Sequence, residues 1–277
     1  DNNGLYSVGE HLSKLDFPTD FDSVDRAAQR FRYVHDTYLR NNGIKTYLSV
    51  IPDKNVFIAS PNGYPDKDYK ALVERLGKGF PEAEYIDISG LLSADDFYYT
   101  DSHWRQERIL TVSDEIADKM GAERIGQCEK HDTGVSFYGV YYGQAALPHA
   151  PERFFYLDNA VIRGLKVYNV ETSSDIPVYD LRAAAGRDPY EMFLGGARSI
   201  IRITNPNAAK ERRLIIFRDS FGSSIAPFLT AGYSEVTLVD IRYISPSSLG
   251  KLIDFTKADD ALFLYSASVI NNSETIK

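Results

Sequence analysis

The chain has 277 residues, 43% hydrophobic and 25% charged, with a formal net charge of -8. That suits one α/β domain with an insertion, or two small domains, with enough apolar residues to fill a sizeable core. The negative balance and the lack of a long basic run argue against nucleic acid and anionic membrane surfaces as partners; the lone cysteine, Cys128, leaves no intrachain disulfide, and no apolar run approaches the roughly 18–20 residues that span a bilayer.

The sequence starts Asp1-Asn2-Asn3-Gly4, without an initiator Met or a signal segment, as a mature or a trimmed chain does, so a leader or anchor before it would not be seen. From about Ser23 to Asn41, Val24, Ala27, Phe31 and Val34 fall at helical spacing, and Asn42-Gly43 ends the helix. Lys45-Thr-Tyr-Leu-Ser-Val-Ile51 reads as a strand closed by Pro52. A helix over about Asp66 to Leu76 and a strand at Glu84-Tyr-Ile-Asp-Ile88 follow. A third helix is predicted from about His103 to Met120, with Thr100, Asp101 and Ser102 as N-cap candidates. From about Ile125 to Leu181, aromatic and β-branched residues alternate with polar ones among glycines and prolines, which predicts an antiparallel β insertion. Strand and helix then alternate again: a strand at Leu214-Ile-Ile-Phe217, a helix over Ser223 to Thr230 and a strand at Glu235-Val-Thr-Leu-Val239. A helix over about Ser247 to Phe255 and a strand at Ala261-Leu-Phe-Leu-Tyr265 complete the pattern. It implies a mostly parallel sheet with helices on both faces, whose ligands lie beyond the carboxyl ends of the strands.

Two short stretches carry chemistry. In Leu214-Ile-Ile-Phe-Arg-Asp-Ser-Phe-Gly-Ser-Ser224 an apolar strand runs into a small-residue turn that opens a helix. This puts the Ser220 hydroxyl at a strand end, beside helix N–H groups able to bind a developing oxyanion. The plainer alternative is that Asp219, Ser220 and Ser223 cap the helix. In Asp101-Ser-His-Trp104 a carboxylate stands two residues before a histidine. A serine hydroxyl needs such a base, oriented by a carboxylate, to become a nucleophile. Capping by Asp101 is the alternative here too. Asp-x-His also occurs in metal sites, but His131, Asp132 and His149 show no zinc spacing, so neither metal nor other cofactor is expected.

Tyr98-Tyr-Thr-Asp-Ser-His-Trp104 resembles the signature of the bacterial DHHW family and of the related alginate O-acetyltransferase proteins with SGNH hydrolase-like domains. The likeness extends to Gly43-Ile-Lys-Thr-Tyr-Leu-Ser-Val-Ile-Pro-Asp-Lys54, Phe137-Tyr-Gly-Val-Tyr-Tyr-Gly143, Tyr190-Glu-Met-Phe-Leu-Gly-Gly196, Ile203-Thr-Asn-Pro-Asn207, Arg218-Asp-Ser-Phe221 and Val239-Asp-Ile-Arg-Tyr243. It covers about Ile44 to Tyr265. It implies a single SGNH hydrolase-like α/β domain over residues 1–277 with the insertion at about 125–181. It also implies Ser220 as nucleophile, His103 as general base and Asp101 as its orienting carboxylate. Four positions depart from the family pattern: Ser102 stands for the first His, Arg105 for a Thr, Arg218 for a Gly and Ala197 for an Asn.

The implied activity is acetyl transfer to an exported or cell-surface polysaccharide through an acetyl-serine, outside the cytoplasm, with acetyl groups relayed by a membrane-bound O-acyltransferase. An acetylesterase using water and a scaffold with a weakened site are the alternatives. Arg218, Phe221 and Arg242 are expected at oxyanion or substrate-orienting positions, or, for the two arginines, in salt bridges to Asp219 or Asp240. Tyr141 and Tyr142 are expected on the acceptor-binding surface, and Phe154 and Tyr156 on one inward face of the insertion.

Overall fold

A buried parallel strand must be apolar on both faces, and the central strands of this chain are. The computed structural model describes residues 4–145 and 148–277. In chain order its elements are β1 (Leu5–Val8), β2 (His11–Lys14), α1 (Phe21–Val34), β3 (Lys45–Ile51), α2 (Lys54–Ile58), α3 (Tyr69–Gly79), β4 (Glu84–Tyr85) and α4 (Leu110–Lys119). They continue with β5 (Glu129–Phe137), α5 (Tyr142–Ala145), β6 (Glu152–Asp158), α6 (Ala160–Gly164), β7 (Lys166–Asn169) and β8 (Ser174–Ile176). The rest are β9 (Ile200–Thr204), β10 (Arg213–Arg218), α7 (Phe221–Leu229), β11 (Glu235–Val239), β12 (Asp260–Ser266) and α8 (Ala267–Asn271).

Eight strands form the main sheet in the order β4-β3-β12-β10-β11-β9-β7-β8. The first five pair in parallel, and the last three join antiparallel. The period-two pleat divides the core. Leu214, Ile216, Leu262 and Leu264 face α4 and α7, while Ile215, Phe217, Phe263 and Tyr265 face α1 and α3. Each such side chain contributes about 1.5–3 kcal/mol on burial. A one-residue slip would exchange the two faces, so the register is firmly set. The strands therefore deliver their carboxyl ends, and the loops that follow, to one edge. The SGNH hydrolase-like α/β architecture is the one expected.

Several predicted boundaries move, for local reasons. The first helix is α-helical only to Val34; a π turn (His35–Leu39) and a 3₁₀ turn (Arg40–Asn42) carry it to Gly43, which takes a left-handed φ of 67°. The second starts at Tyr69, because the Asp68 side chain caps it by accepting the Ala71 N–H. Only two residues of the predicted strand at 84–88 pair as strand, as β4. Residues 246–251 and 255–257 form short 3₁₀ turns rather than the predicted helix; Gly250 weakens an α-helix there.

The helix predicted from His103 begins only at Leu110. The stretch before it is irregular, because its polar groups are drawn to tertiary partners described below. The predicted β insertion is divided. β5 and β6 make a two-stranded sheet of their own, with Phe154 and Tyr156 sharing its inward face, whereas β7 and β8 extend the main sheet. Residues 146 and 147 of that segment, and residues 1–3 at the chain start, lie outside the described residues. Among the described residues no helix is long and apolar enough to cross a membrane.

Candidate active site

β10 ends at Arg218, and the chain turns directly into α7. The turn is held by Asp219, whose carboxylate accepts the Phe221 N–H at 3.1 Å and the Ser266 N–H at the end of β12 at 2.7 Å. Ser220 stands at the N-cap position, yet its side chain makes no capping bond. Asp219 performs the capping, so the Ser220 hydroxyl is left for another partner. That partner is His103, whose Nε2 lies 2.7 Å from Ser220 Oγ across 117 residues of sequence.

His103 Nδ1 lies 2.6 Å from Asp101 Oδ1, and that same oxygen accepts the His103 backbone N–H at 2.9 Å. The other Asp101 oxygen accepts the Val140 N–H at 2.9 Å. Burial pushes the Asp101 carboxyl up, but His103 and these bonds outweigh it and hold the group below its ordinary value. The imidazole is fixed by packing as well. It stacks on Tyr190 with ring centroids 3.9 Å apart and meets Phe221 at 4.9 Å. Ser224 Oγ anchors these walls by accepting from Trp104 Nε1 and Tyr190 Oη, both at 2.8 Å.

The segment bearing Asp101 and His103 has almost no regular structure, so other residues hold it. Lys54, buried at the start of α2, donates to the carbonyls of Tyr98 (2.8 Å), Tyr99 (3.1 Å) and Asp101 (2.8 Å). Burial pulls its ammonium down to about 7, with Asp101 and Glu152 acting against that pull. The three carbonyls call for three N–H donors, which only the protonated form supplies. Glu152 of β6 accepts the backbone N–H groups of Tyr99 and Thr100 and pairs with Arg105. Gly139 lets the chain after β5 lie against this segment: a Cβ there would sit 2.3 Å from the Thr100 carbonyl oxygen and 2.4 Å from Asp101 Cβ.

A cleft of about 190 Å³ opens over Ser220 and His103, lined by Ser13, Asn55, Ser102, Tyr141, Phe221 and Ser268 among others. Of the tyrosines expected on the acceptor surface, Tyr141 lines this cleft. Tyr142 does not; it packs on Tyr138 at 4.5 Å. Both arginines depart from the expected orienting position. Arg242 is engaged by both oxygens of Asp240, and Arg218 is fully buried, with Nη1 donating to the Asp219 carbonyl and lying 3.7 Å from Asp240. Neither lines the cleft, so the salt-bridge alternative holds. Gly222 leaves room for Arg218, since a Cβ there would lie 2.6 Å from Arg218 Cβ.

The helix start is also less free than expected. The N–H groups of Phe221, Gly222 and Ser223 are taken by Asp219 and Ser220. The Ser220 N–H is left without a protein partner among the described residues. Ala197, at the departure from the family's Asn, is exposed and contributes no polar side chain. A hydroxyl, an imidazole and a buried carboxylate bonded in series can move a proton off the hydroxyl while keeping the imidazolium compensated.

The DHHW protein family model matches residues 92–239, more than half of the chain and the span from before Asp101 to beyond Ser220. The chain belongs to the DHHW family. Solved structures agree with this DHHW protein in fold. A DHHW family protein from Eubacterium siraeum superposes with a TM-score of 0.78 at 18% identity, over 100% of this chain and 95% of that one. Bacillus cereus PatB1 with a sulfonyl adduct gives a TM-score of 0.76 at 16% identity, over 96% and 95%. The O-acetyltransferase domain of Pseudomonas putida AlgJ gives 0.55 at 10% identity, over 90% and 84%. No curated protein matches the chain. Asp101, His103 and Ser220 of the DHHW protein were readable as two half-motifs. The supports Lys54, Gly139, Glu152 and Tyr190 were not. Their signal was only a place in stretches that resemble the family: Lys54 ends the Pro-Asp-Lys turn after β3, Gly139 stands among aromatic residues, and Tyr190 opens its stretch.

Proposed function

We propose that this DHHW protein is a serine-dependent O-acetyltransferase that acts on a polysaccharide outside the cytoplasm. The observation that carries the reading is the unbroken hydrogen-bond series from Asp101 through His103 to a Ser220 hydroxyl that does no structural capping. The fold shared with the AlgJ O-acetyltransferase domain supports transfer to oxygen.

In the proposed reaction Ser220 Oγ attacks the acetyl carbonyl carbon while its proton passes to His103 Nε2. The carbonyl electron pair moves onto oxygen, where the Ser220 N–H stabilises it. The tetrahedral centre collapses, the donor's oxygen departs with the proton from His103, and Ser220 remains as its acetyl ester. An acceptor hydroxyl then attacks that ester, giving its proton to His103, which returns it to Ser220. Asp101 stays ionised throughout and orients the imidazole. The acetyl donor is an acetyl ester or acetyl carrier delivered at the membrane, in keeping with relay by a membrane-bound O-acyltransferase.

The same site with water as acceptor is an acetylesterase. The half-buried Ser220 and the polar cleft admit water, which favours this second reading. Incubation with an acetyl-ester reporter, with and without oligosaccharides, decides between them. An acetylated Ser220 peptide by mass spectrometry, together with acetylated oligosaccharide, is expected. Release of acetate alone points to the esterase. Wild-type turnover in Ser220→Ala, or no label on Ser220 from a sulfonyl fluoride, would sink both readings.

A further inference from the structure

A second and larger groove, of about 630 Å³, runs between the segment carrying Asp101 and the β5–β6 hairpin. It shares no lining residue with the Ser220 cleft. Tyr99 lines the groove, whereas Ser102 and His103 line the cleft, so the Asp101 segment is the wall between the two. Its volume falls in the roughly 300–1,000 Å³ range of small-ligand sites.

The lining combines flat rings with charges of both signs. Tyr99 and Phe155 supply the rings, with Arg105 over Tyr99 at 5.0 Å and Lys130 over Phe155 at 4.7 Å. Four cationic side chains, Arg108 and Lys130 among them, share the groove with four carboxylates, Glu107 and Glu152 among them. That balance opposes a polyanion, which the carboxylates would repel.

Part of this polar lining is unpartnered. Arg105 and Glu152 pair with each other, but Arg108 and Lys130 form no salt bridge among the described residues. Glu107 Oε2 is buried with no hydrogen-bond partner, and burial raises the pKa of this carboxyl. Buried polar atoms in native folds are nearly always satisfied, and this unsatisfied one belongs to a residue of the groove wall. Rings interleaved with free donors and acceptors suit a polyhydroxylated ring, whose faces stack and whose hydroxyls both give and take hydrogen bonds.

We infer that this groove binds a neutral stretch of carbohydrate chain, the acceptor polymer, beside the loop that carries Asp101. The inference rests on the acetyl-transfer reading for the identity of the polymer, and on the groove alone for its chemistry. It adds to the acceptor surface expected at Tyr141 and Tyr142 a groove that neither of them lines. An occupant touching Tyr99 and Glu152 would bear directly on the peptides that hold Asp101, because Glu152 accepts the Tyr99 N–H and Lys54 donates to the Tyr99 carbonyl.

The test is calorimetric titration of the full chain carrying Ser220→Ala with chitotetraose, cellotetraose and xylotetraose, and with tetragalacturonate as the anionic probe. At least one neutral tetrasaccharide should bind more tightly than tetragalacturonate. Adding Arg108→Ala and Lys130→Ala, both exposed positions where folding is spared, should weaken it about tenfold, the loss of one to two charge-assisted hydrogen bonds. Unchanged affinity in that variant, tighter binding of tetragalacturonate, or binding of none of the four would overturn the inference. No turnover is read, so failure of acetyl transfer would leave this result standing, and the reverse.

Discussion

The two halves of the site are built by opposite means. Ser220 sits where an apolar strand meets a helix, so regular elements on either side place it, with Asp219 closing the turn and one distant bond, from the Ser266 N–H, fastening it. Asp101 and His103 lie in an irregular segment whose geometry is imposed from far along the chain, by Lys54, Gly139 and Glu152. A site half made of regular structure is robust to change around it and sensitive only at its reacting atom. A half held by remote clamps is exposed at every clamp.

Ser220→Ala should sharpen that contrast most. Turnover should fall by at least about 10³-fold, while stability shifts by under about 1 kcal/mol, because the hydroxyl caps nothing. Urea unfolding beside the ester assay checks both, and a large stability loss would show a structural role for this half too. Lys54→Met should do the opposite. Three buried carbonyls lose their donor, so stability should drop by about 3 kcal/mol and turnover should fall with it. Full stability in that variant would break the idea that the Asp101 half is clamped.

Gly139→Ala tests the same half more gently. The new methyl group must push the chain off Thr100, drawing the Val140 N–H away from Asp101. A misplacement of that kind lowers rate by about 10²-fold with the substrate still bound. A fall in kcat larger than the rise in KM is expected, and an unchanged kcat would count against the clamp. The smallest effect concerns acid. Asp101 has a folded pKa below its unfolded value. Its contribution to stability is therefore complete above about pH 4 and is lost as pH falls through the folded value. Asp101→Asn should flatten the loss of stability below about pH 4 in a series of urea midpoints. Equal slopes in the two proteins would mean that the carboxylate gains nothing from its bonds.

The contrast also explains what could be read from the sequence. β3 and β11 occur at the predicted residues, and β10 and β12 exceed their predicted spans by a residue or two, since apolar runs and turn residues define them locally. The Ser220 turn was legible for the same reason. The segment after Thr100 reads locally as a capped helix, and it fails to form one because Asp101 turns its carboxylate to His103 and Val140, and Arg105 reaches Glu152. The bonds to Val140 and Glu152 are tertiary, over 39 and 47 residues, and no local pattern encodes them. For Arg218 the sequence left two readings open, the ligand side or a salt bridge, and only the fold decides between them, by placing the Asp240 carboxylate 3.7 Å from its Nη1.

The strand order has a consequence for how the chain matures. β12 lies between β3 and β10 at the centre of the parallel strands, although it is the last strand in chain order. A growing chain therefore holds β3 and β10 apart, their edges unpaired, through the synthesis of everything up to Asp260. The Ser266 N–H that fastens the Ser220 turn also arrives only then. Pairings of such large sequence separation form slowly and leave strand edges open to wrong partners meanwhile. The sheet thus stays unfinished and the nucleophile unfixed until the chain has been made as far as Ser266.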